Sequence, residues 1–184
     1  MCNTEFKLVD VDSDDLAEIP VPESGHSAAG ELWVRGPQVM LGYLNNEEAT
    51  NQTIVDGGWL RTGDMAELDE HGNTYIVDRL KELIKYKGYQ VAPAELEAVL
   101  LGHPDIADAA CSGVFDRDGE EIPKAYVVPQ AGAELSAEDI MEYVGQRVAP
   151  YKKVRAVEFM EAIPKSATGK ILRKDLKAME AARV

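Results

Sequence analysis

Asp78-Arg79-Leu80-Lys81-Glu82-Leu83-Ile84-Lys85-Tyr86-Lys87-Gly88-Tyr89-Gln90-Val91-Ala92-Pro93-Ala94-Glu95-Leu96-Glu97 separates two textures in this sequence. Upstream of it, apolar and polar residues alternate with the period of half-buried strands: Phe6 and Leu8 against Glu5 and Lys7, Leu32 and Val34 around Trp33. Thr74-Tyr75-Ile76-Val77 is β-branched and aromatic, and the turn-rich Asp69–Asn73 before it predicts a hairpin. Residues 10–29 are acidic and rich in Pro, Ser and Gly, the composition of an exposed loop. Downstream, helical and strand patterns alternate. Pro93 suits the first position of a helix that places Leu96, Val99 and Leu100 on one face. Ser136-Ala-Glu-Asp139 resembles a capping box with Asp in place of Glu, before Ile140, Val144 and Val148 at every fourth residue. A last helix over roughly 170–182 groups Leu172, Leu176 and Met179. Strands are expected at Ala109–Phe115, Ala125–Val128 and Val154–Phe159. The fold class is therefore mixed, with a mostly β piece over 1–78, a junction at 79–81 and a small α+β domain over 82–184.

The bulk properties narrow the function. A chain of 184 residues with 45% apolar content has material for one domain or two small ones. A net charge of −14 argues against nucleic acid or an anionic membrane as the main partner, although basic residues outnumber acidic ones from Arg147 to Lys177. Cys2 and Cys111 are far apart and have no metal-ligand spacing, which suggests a reducing compartment. No apolar run approaches the roughly 18 residues of a membrane helix. The opening residues lack a secretory pattern and the terminal Ala-Arg-Val is not a peroxisomal Ser-Lys-Leu address, so the expectation is cytoplasmic. The first residues run straight into a strand pattern, as in a piece of a longer protein.

Three other segments stand out. Gly30–Leu44 holds four glycines' and prolines' worth of turn signals, which a strand and turns would also explain. Gly58-Trp-Leu-Arg-Thr-Gly-Asp64 ends on a Gly-Asp pair of the kind that makes a turn or an Asx cap. In Pro164-Lys-Ser-Ala-Thr-Gly-Lys-Ile-Leu-Arg173, a Ser/Thr/Gly loop presents a lysine before a helix. Such a loop holds an anion or, equally, forms a plain N-cap with Thr168. The cations at 79, 81, 85 and 87 likewise suit an exposed, solvated strand.

Taken together, the order and spacing of these four segments resemble the acyl-adenylate-forming (AMP-binding) superfamily, and most closely the 4-coumarate–CoA ligases and luciferases. The resemblance runs from about Thr4 to Lys177, and two strings, Asp78–Glu97 and Pro164–Arg173, match nearly letter for letter. It implies an ATP-dependent acyl- or aryl-CoA ligase that turns a carboxylate and ATP into acyl-AMP and then into a CoA thioester. It also implies that this chain is the C-terminal third. Residues 1–78 would be the last β subdomain, a distorted barrel, of a large N-terminal domain, and 82–184 a mobile lid. The phosphate loop and the Mg²⁺-binding segment would lie in the missing part, so the isolated chain is expected to be inactive.

By the same resemblance, Asp64 would hold the ATP ribose, Arg79 the ribose or α-phosphate, and Ile76 would pack near the nucleotide. Lys170 would act in adenylation, and Lys81 would be the hinge. Lys85 and Gln90 would line the thioester-forming site, with Lys87 and Gly88 beside coenzyme A. No metal ligand is implied within the chain. Strand parity adds a constraint: Lys85 and Lys87 share one face of an extended strand and Gln90 falls on the other. If Lys85 and Gln90 face the same intermediate, the chain must bulge or turn at Lys87-Gly88, where Gly88 is the permissive residue. The alternatives are a non-catalytic lid or binding module acting in trans, and a peptide-synthetase adenylation fragment. The identity of the carboxylic acid is not legible in these residues.

Overall fold

The computed structural model describes residues 3–55 and 57–182. Cys2 and the terminal Arg-Val, on which expectations above partly rest, lie outside them. The chain divides into two compact units, Met1–Lys81 and Glu82–Val184.

The first unit is a curled six-stranded sheet. Its strands are β1 (Glu5–Val9), β2 (Glu18–Ile19), β3 (Gly30–Arg35), β4 (Ile54–Val55), β5 (Trp59–Leu68) and β6 (Thr74–Arg79). The ten-residue β5 organises it. One side of β5 pairs with β3, while the other pairs with β4 at its start and β6 at its end, all antiparallel. The Asp69–Asn73 turn joins β5 to β6, as the sequence predicts. Leu8, Ala66 and Leu68, with Ile19 and Leu32 against them, form a small core.

Two features depart from the all-β reading of this unit. A short strand, β2, interrupts the 10–29 loop. A helix, α1 (Glu47–Thr53), follows Asn46, whose side chain accepts a hydrogen bond from the Ala49 N–H. The helix buries no residue, so it lacks the apolar stripe by which periodicity reveals a helix.

The second unit has a three-stranded sheet in the order β11-β10-β9, made of β9 (Ile106–Phe115), β10 (Glu121–Pro129) and β11 (Ala156–Phe159). β9 and β10 are antiparallel, and β10 and β11 parallel. Its helices are α2 (Pro93–Leu101), α3 (Ala137–Gly145) and α4 (Arg173–Ala181), and a separate hairpin joins β7 (Ile84–Tyr86) to β8 (Tyr89–Val91). Pro93 opens α2, and Ser136 and Asp139 form both halves of the capping box.

Both faces of this sheet are covered, which is why its strands read as near-continuous apolar runs. Ala109, Cys111, Ala125 and Val127 share a core with Leu96 and Leu100 of α2, Ile140 and Val144 of α3, and Ile84 and Val91 of the hairpin. The alternate residues Ala110 and Tyr126 pack with Ile163 and with Leu176 of α4. The period-2 alternation along β9 and β10 thus assigns each residue to one core or the other.

The helix ends differ from expectation. α3 stops at Gly145, short of Val148, and α4 begins at Arg173 rather than near 170. Thr168 caps no helix: the α4 N-cap is Leu172, without a side-chain bond. The loop before it folds back on itself instead.

Candidate functional site

In the first unit, Asp64 and Arg79 face one another across β5 and β6. Arg79 Nε lies 3.0 Å from Asp64 Oδ1. Five residues of β5, Arg61 to Met65, span the same length as three of β3, Glu31 to Trp33, so Thr62-Gly63-Asp64 bulges out of the pairing. Gly63 takes a φ of +72° there, with open space where a Cβ would point. Thr62 Oγ1 pins the bulge by donating to Leu32 O at 2.7 Å and accepting from Asp64 N–H at 3.1 Å. The Gly-Asp pair is therefore a bulge within a strand, not a turn after one. A second irregularity falls at Val77, and Ile76 beside it is 58% exposed. An apolar strand residue is usually core; this one is not.

Beneath the bulge, the buried carboxylate of Glu31 is satisfied by Trp33 Nε1–H at 2.8 Å and by Arg61 Nε and Nη2 at 3.1 and 3.0 Å. A buried charge is tolerated when it is so paired. The pair holds β3 and β5 together where the bulge interrupts their ladder.

In the second unit, Lys85 and Gln90 are direct partners across the β7–β8 hairpin. Cross-strand partners point to the same face, so the hairpin brings together two side chains that a continuous strand would separate. Lys87 and Gly88 make the two-residue turn with φ of +48° and +82°, the left-handed pair of a type I′ turn. Ile84 and Val91 anchor its base in the core, and Lys85 N–H donates to Glu121 Oε2 at 2.9 Å. Beside it, Tyr89 stacks on Tyr151 with centroids 4.6 Å apart, and Arg155 lies 3.9 Å over the Tyr86 ring. Arg155, and after it Lys87, draw the Tyr86 phenol below its ordinary pKa.

Lys170 is carried by another loop. Lys165 pairs with Ile171, Ser166 N–H donates to Lys170 O at 2.8 Å, and Gly169 N–H closes the turn onto Ser166 O at 2.9 Å. Ser166 Oγ also accepts from Lys170 N–H at 3.2 Å. These bonds fix the backbone and leave the Lys170 side chain exposed, in no ion pair among the described residues. Lys81 sits in a single 3₁₀ turn, Leu80–Glu82, and is also exposed. Among the described residues no cluster of three or more His, Cys, Asp or Glu is arranged to hold a metal ion.

Comparison with known proteins gives these loops a family. The family model of the AMP-binding enzyme C-terminal domain matches residues 95–170. The chain is 50% identical over 176 residues to 4-coumarate–CoA ligase 1 of Arabidopsis thaliana, covering 96% of this chain and 30% of that protein. The chain belongs to the acyl-adenylate-forming superfamily.

It is also 58% identical over 152 residues to the peroxisomal OPC-8:0-CoA ligase 1 of the same plant, over 83% of this chain and 28% of that one. Bacillus subtilis o-succinylbenzoate CoA synthetase, solved with its acyl-adenylate intermediate, superposes with a TM-score of 0.79 at 35% identity, over 96% of this chain and 34% of the other. The chain thus spans about 30% of the length of the curated relatives that it matches. It matches them as a C-terminal part, and its mixed fold is that of its adenylate-forming neighbours.

The residues that sequence reasoning missed are Glu82, Glu97 and Arg173. Arg173 Nη1 donates to Glu82 Oε2 at 2.6 Å, Nη2 to both Glu97 oxygens at 2.7 Å, and Nε to Cys111 O at 3.2 Å. Glu97 Oε1 also accepts from Cys111 N–H at 2.9 Å. Arg173 and Glu97 end the two letter-for-letter strings, a signal that marked the positions without revealing the pairing.

Proposed function

We propose that this chain is the C-terminal part of an ATP-dependent acyl- or aryl-CoA ligase, working in two half-reactions. A carboxylate attacks the α-phosphorus of ATP to give acyl-AMP and pyrophosphate. The CoA thiol then attacks the acyl carbon, giving the thioester and releasing AMP. The observation that carries this reading is the separation of cations within the second unit. Lys85 shares a hairpin face with Gln90, while Lys170 stands on a different loop with its ammonium unpaired among the described residues.

Lys170 balances the charge that moves at phosphorus as pyrophosphate leaves. Asp64 accepts from the ribose hydroxyls and Arg79 donates to the ribose or α-phosphate. Their geometry fits, because only Arg79 Nε is engaged by Asp64 and the terminal nitrogens make no hydrogen bond among the described residues. Ile76, exposed on β6, covers one side of the nucleotide. Lys85 and Gln90 face the acyl-adenylate in the second half-reaction, with Lys87 and Gly88 of the turn beside CoA. Lys81 is the hinge between a β subdomain over 1–78 and a lid over 82–184. Mg²⁺ belongs to the remainder of the ligase. When bound it neutralises phosphate charge, and no residue described here is assigned to it. We place the protein in the cytoplasm.

The test exchanges residues 1–184 for the matching segment of Arabidopsis 4-coumarate–CoA ligase 1 and follows acyl-AMP and thioester separately by quench-flow. Lys170→Ala is expected to slow acyl-AMP formation about 10²–10³-fold while sparing thioester formation from supplied acyl-AMP. Lys85→Ala is expected to do the reverse. Equal slowing of both steps by both substitutions would refute the two-site reading. The isolated 184-residue chain is expected to give no ATP–pyrophosphate exchange above background.

A further inference from the structure

We propose that Arg173 is a positioning residue for adenylation, fixing the loop that presents Lys170 through a guanidinium pinned to Glu97 and Glu82; the inference rests on the role given to Lys170 above.

Arg173 is the first residue of α4. A cation there opposes the helix dipole, whose N-terminal end favours negative charge. Leu172 before it provides no side-chain cap. Local helix physics therefore gives no reason for arginine at this position, and long-range contacts do. All three guanidinium nitrogens are used: Nη2 forks onto Glu97, Nη1 reaches Glu82, and Nε reaches the Cys111 carbonyl. Arg173 and Glu97 are 14% and 11% exposed, so solvent screens this pair far less than a surface ion pair. Only arginine has a planar fork that holds two carboxylates and a carbonyl at once.

Each partner ties a different element to the same point. Glu97 lies on α2 and anchors β9 through Cys111 N–H. Glu82 immediately follows Lys81 in the chain. Arg173 itself is three residues beyond Lys170, and the loop between is drawn back by Leu172 N–H on Pro164 O at 2.9 Å. The Ser166–Lys170 bonds shape the loop internally, but they do not fasten it to the rest of the unit. Lys165 makes one such tie, to Asp108 at 2.6 Å, on the incoming side of the loop. Arg173 makes the tie on the outgoing side. With both in place, the Lys170 ammonium is presented from a fixed base. With Arg173 lost, the outgoing side is held by the apolar packing of Ile171 and Leu176 alone, and a displacement of the order of an ångström at a charge-stabilising group is costly.

The experiment uses the same exchange into 4-coumarate–CoA ligase 1, well below the melting temperature of every variant. Arg173→Lys keeps the charge but cannot fork, and Glu82→Gln perturbs the more exposed partner with little risk to folding. Arg173→Lys is expected to slow acyl-AMP formation about ten- to a hundredfold. Thioester formation from supplied acyl-AMP is expected to stay within about twofold, because the hairpin has its own anchors. Glu82→Gln is expected to slow acyl-AMP formation in the same direction, less strongly.

The double variant with Lys170→Ala decides the matter. If Arg173 acts through Lys170, Arg173→Lys adds no loss of adenylation to Lys170→Ala. Losses that multiply, slowing of both half-reactions alike, or unchanged adenylation in both Arg173→Lys and Glu82→Gln overturn the proposal. A Lys170→Ala chimera that adenylates normally instead overturns the reading of Lys170 itself, so the two failures are distinct.

Discussion

At the turn between β5 and β6, one carboxylate does most of the organising. Asp69 Oδ1 accepts from His71 N–H at 2.9 Å and Asn73 N–H at 2.8 Å, and Oδ2 accepts from Asn73 Nδ2 at 2.8 Å and the Tyr75 hydroxyl at 3.1 Å. The bonds, those from Asn73 foremost, lower its pKa from 3.8 to about 2. Because folding depresses this pKa, the unfolded chain binds the proton more readily. The stabilisation is complete above about pH 4 and is lost as pH falls towards 2. The melting temperature of Asp69→Asn should therefore lie below that of the parent at pH 7, with the gap closing between pH 4 and 2. A gap that stays constant over that range would show that the carboxylate charge is immaterial.

Asp69 was legible as a turn residue because its effect is local. Asp64 and Lys170 stand out as candidates because motif strings mark them. The pairing of Arg173 with Glu82 and Glu97 was not legible, since it joins residues 91 and 76 positions apart and no local pattern encodes such a distance.

The β7–β8 hairpin shows how an element can set a candidate site at some cost to itself. Lys87 adopts φ of +48°, a left-handed conformation that costs a non-glycine residue roughly 1 kcal/mol, less for Asn. Asn-Gly is the favoured pair for a type I′ turn. Lys87→Asn should therefore raise the stability of the second unit by about 0.5–1 kcal/mol, measured by urea unfolding. In the exchanged ligase it should also impair the use of CoA in thioester formation, seen as a higher KM for CoA. A variant that is more stable and has an unchanged KM would leave the lysine's left-handed backbone without a functional explanation.

Elements were readable where local chemistry and burial agree. Pro93 at the start of α2 and the Ser136–Asp139 box before α3 are such cases. α1 escaped because its start signal, Asn46 followed by Glu47 and Glu48, has no buried face behind it. The turn at Lys87-Gly88 was required by parity arithmetic once Lys85 and Gln90 were placed on one face, and the chain meets that requirement with a full reversal rather than a bulge.

The two units differ in how much apolar surface each buries on its own account. In the second, one core gathers residues from α2, α3, β9, β10 and the hairpin, and another lies beneath α4. In the first, the core cluster among the described residues is Leu8, Ala66 and Leu68 with two flanking neighbours, and Val9, Trp33 and Met65 are buried outside that cluster. Leu41 is fully exposed there and Leu44 is 91% exposed. A sheet of about 80 residues with so small a core is marginal, because its buried apolar area scarcely offsets the entropy of ordering the chain. Residues 82–184 expressed alone should therefore fold cooperatively, with amide NMR shifts matching those of the same residues in the 184-residue chain. Residues 1–81 expressed alone should be unfolded or associated at room temperature, with collapsed shift dispersion or a concentration-dependent sedimentation coefficient. A dispersed, monomeric spectrum from 1–81 would show that the Glu31–Arg61 pair and the cations stacked on Trp33 and Trp59 hold the sheet without a larger core. The contrast is physical rather than topological: β pairing satisfies backbone hydrogen bonds in both units, but only buried side chains supply the driving force.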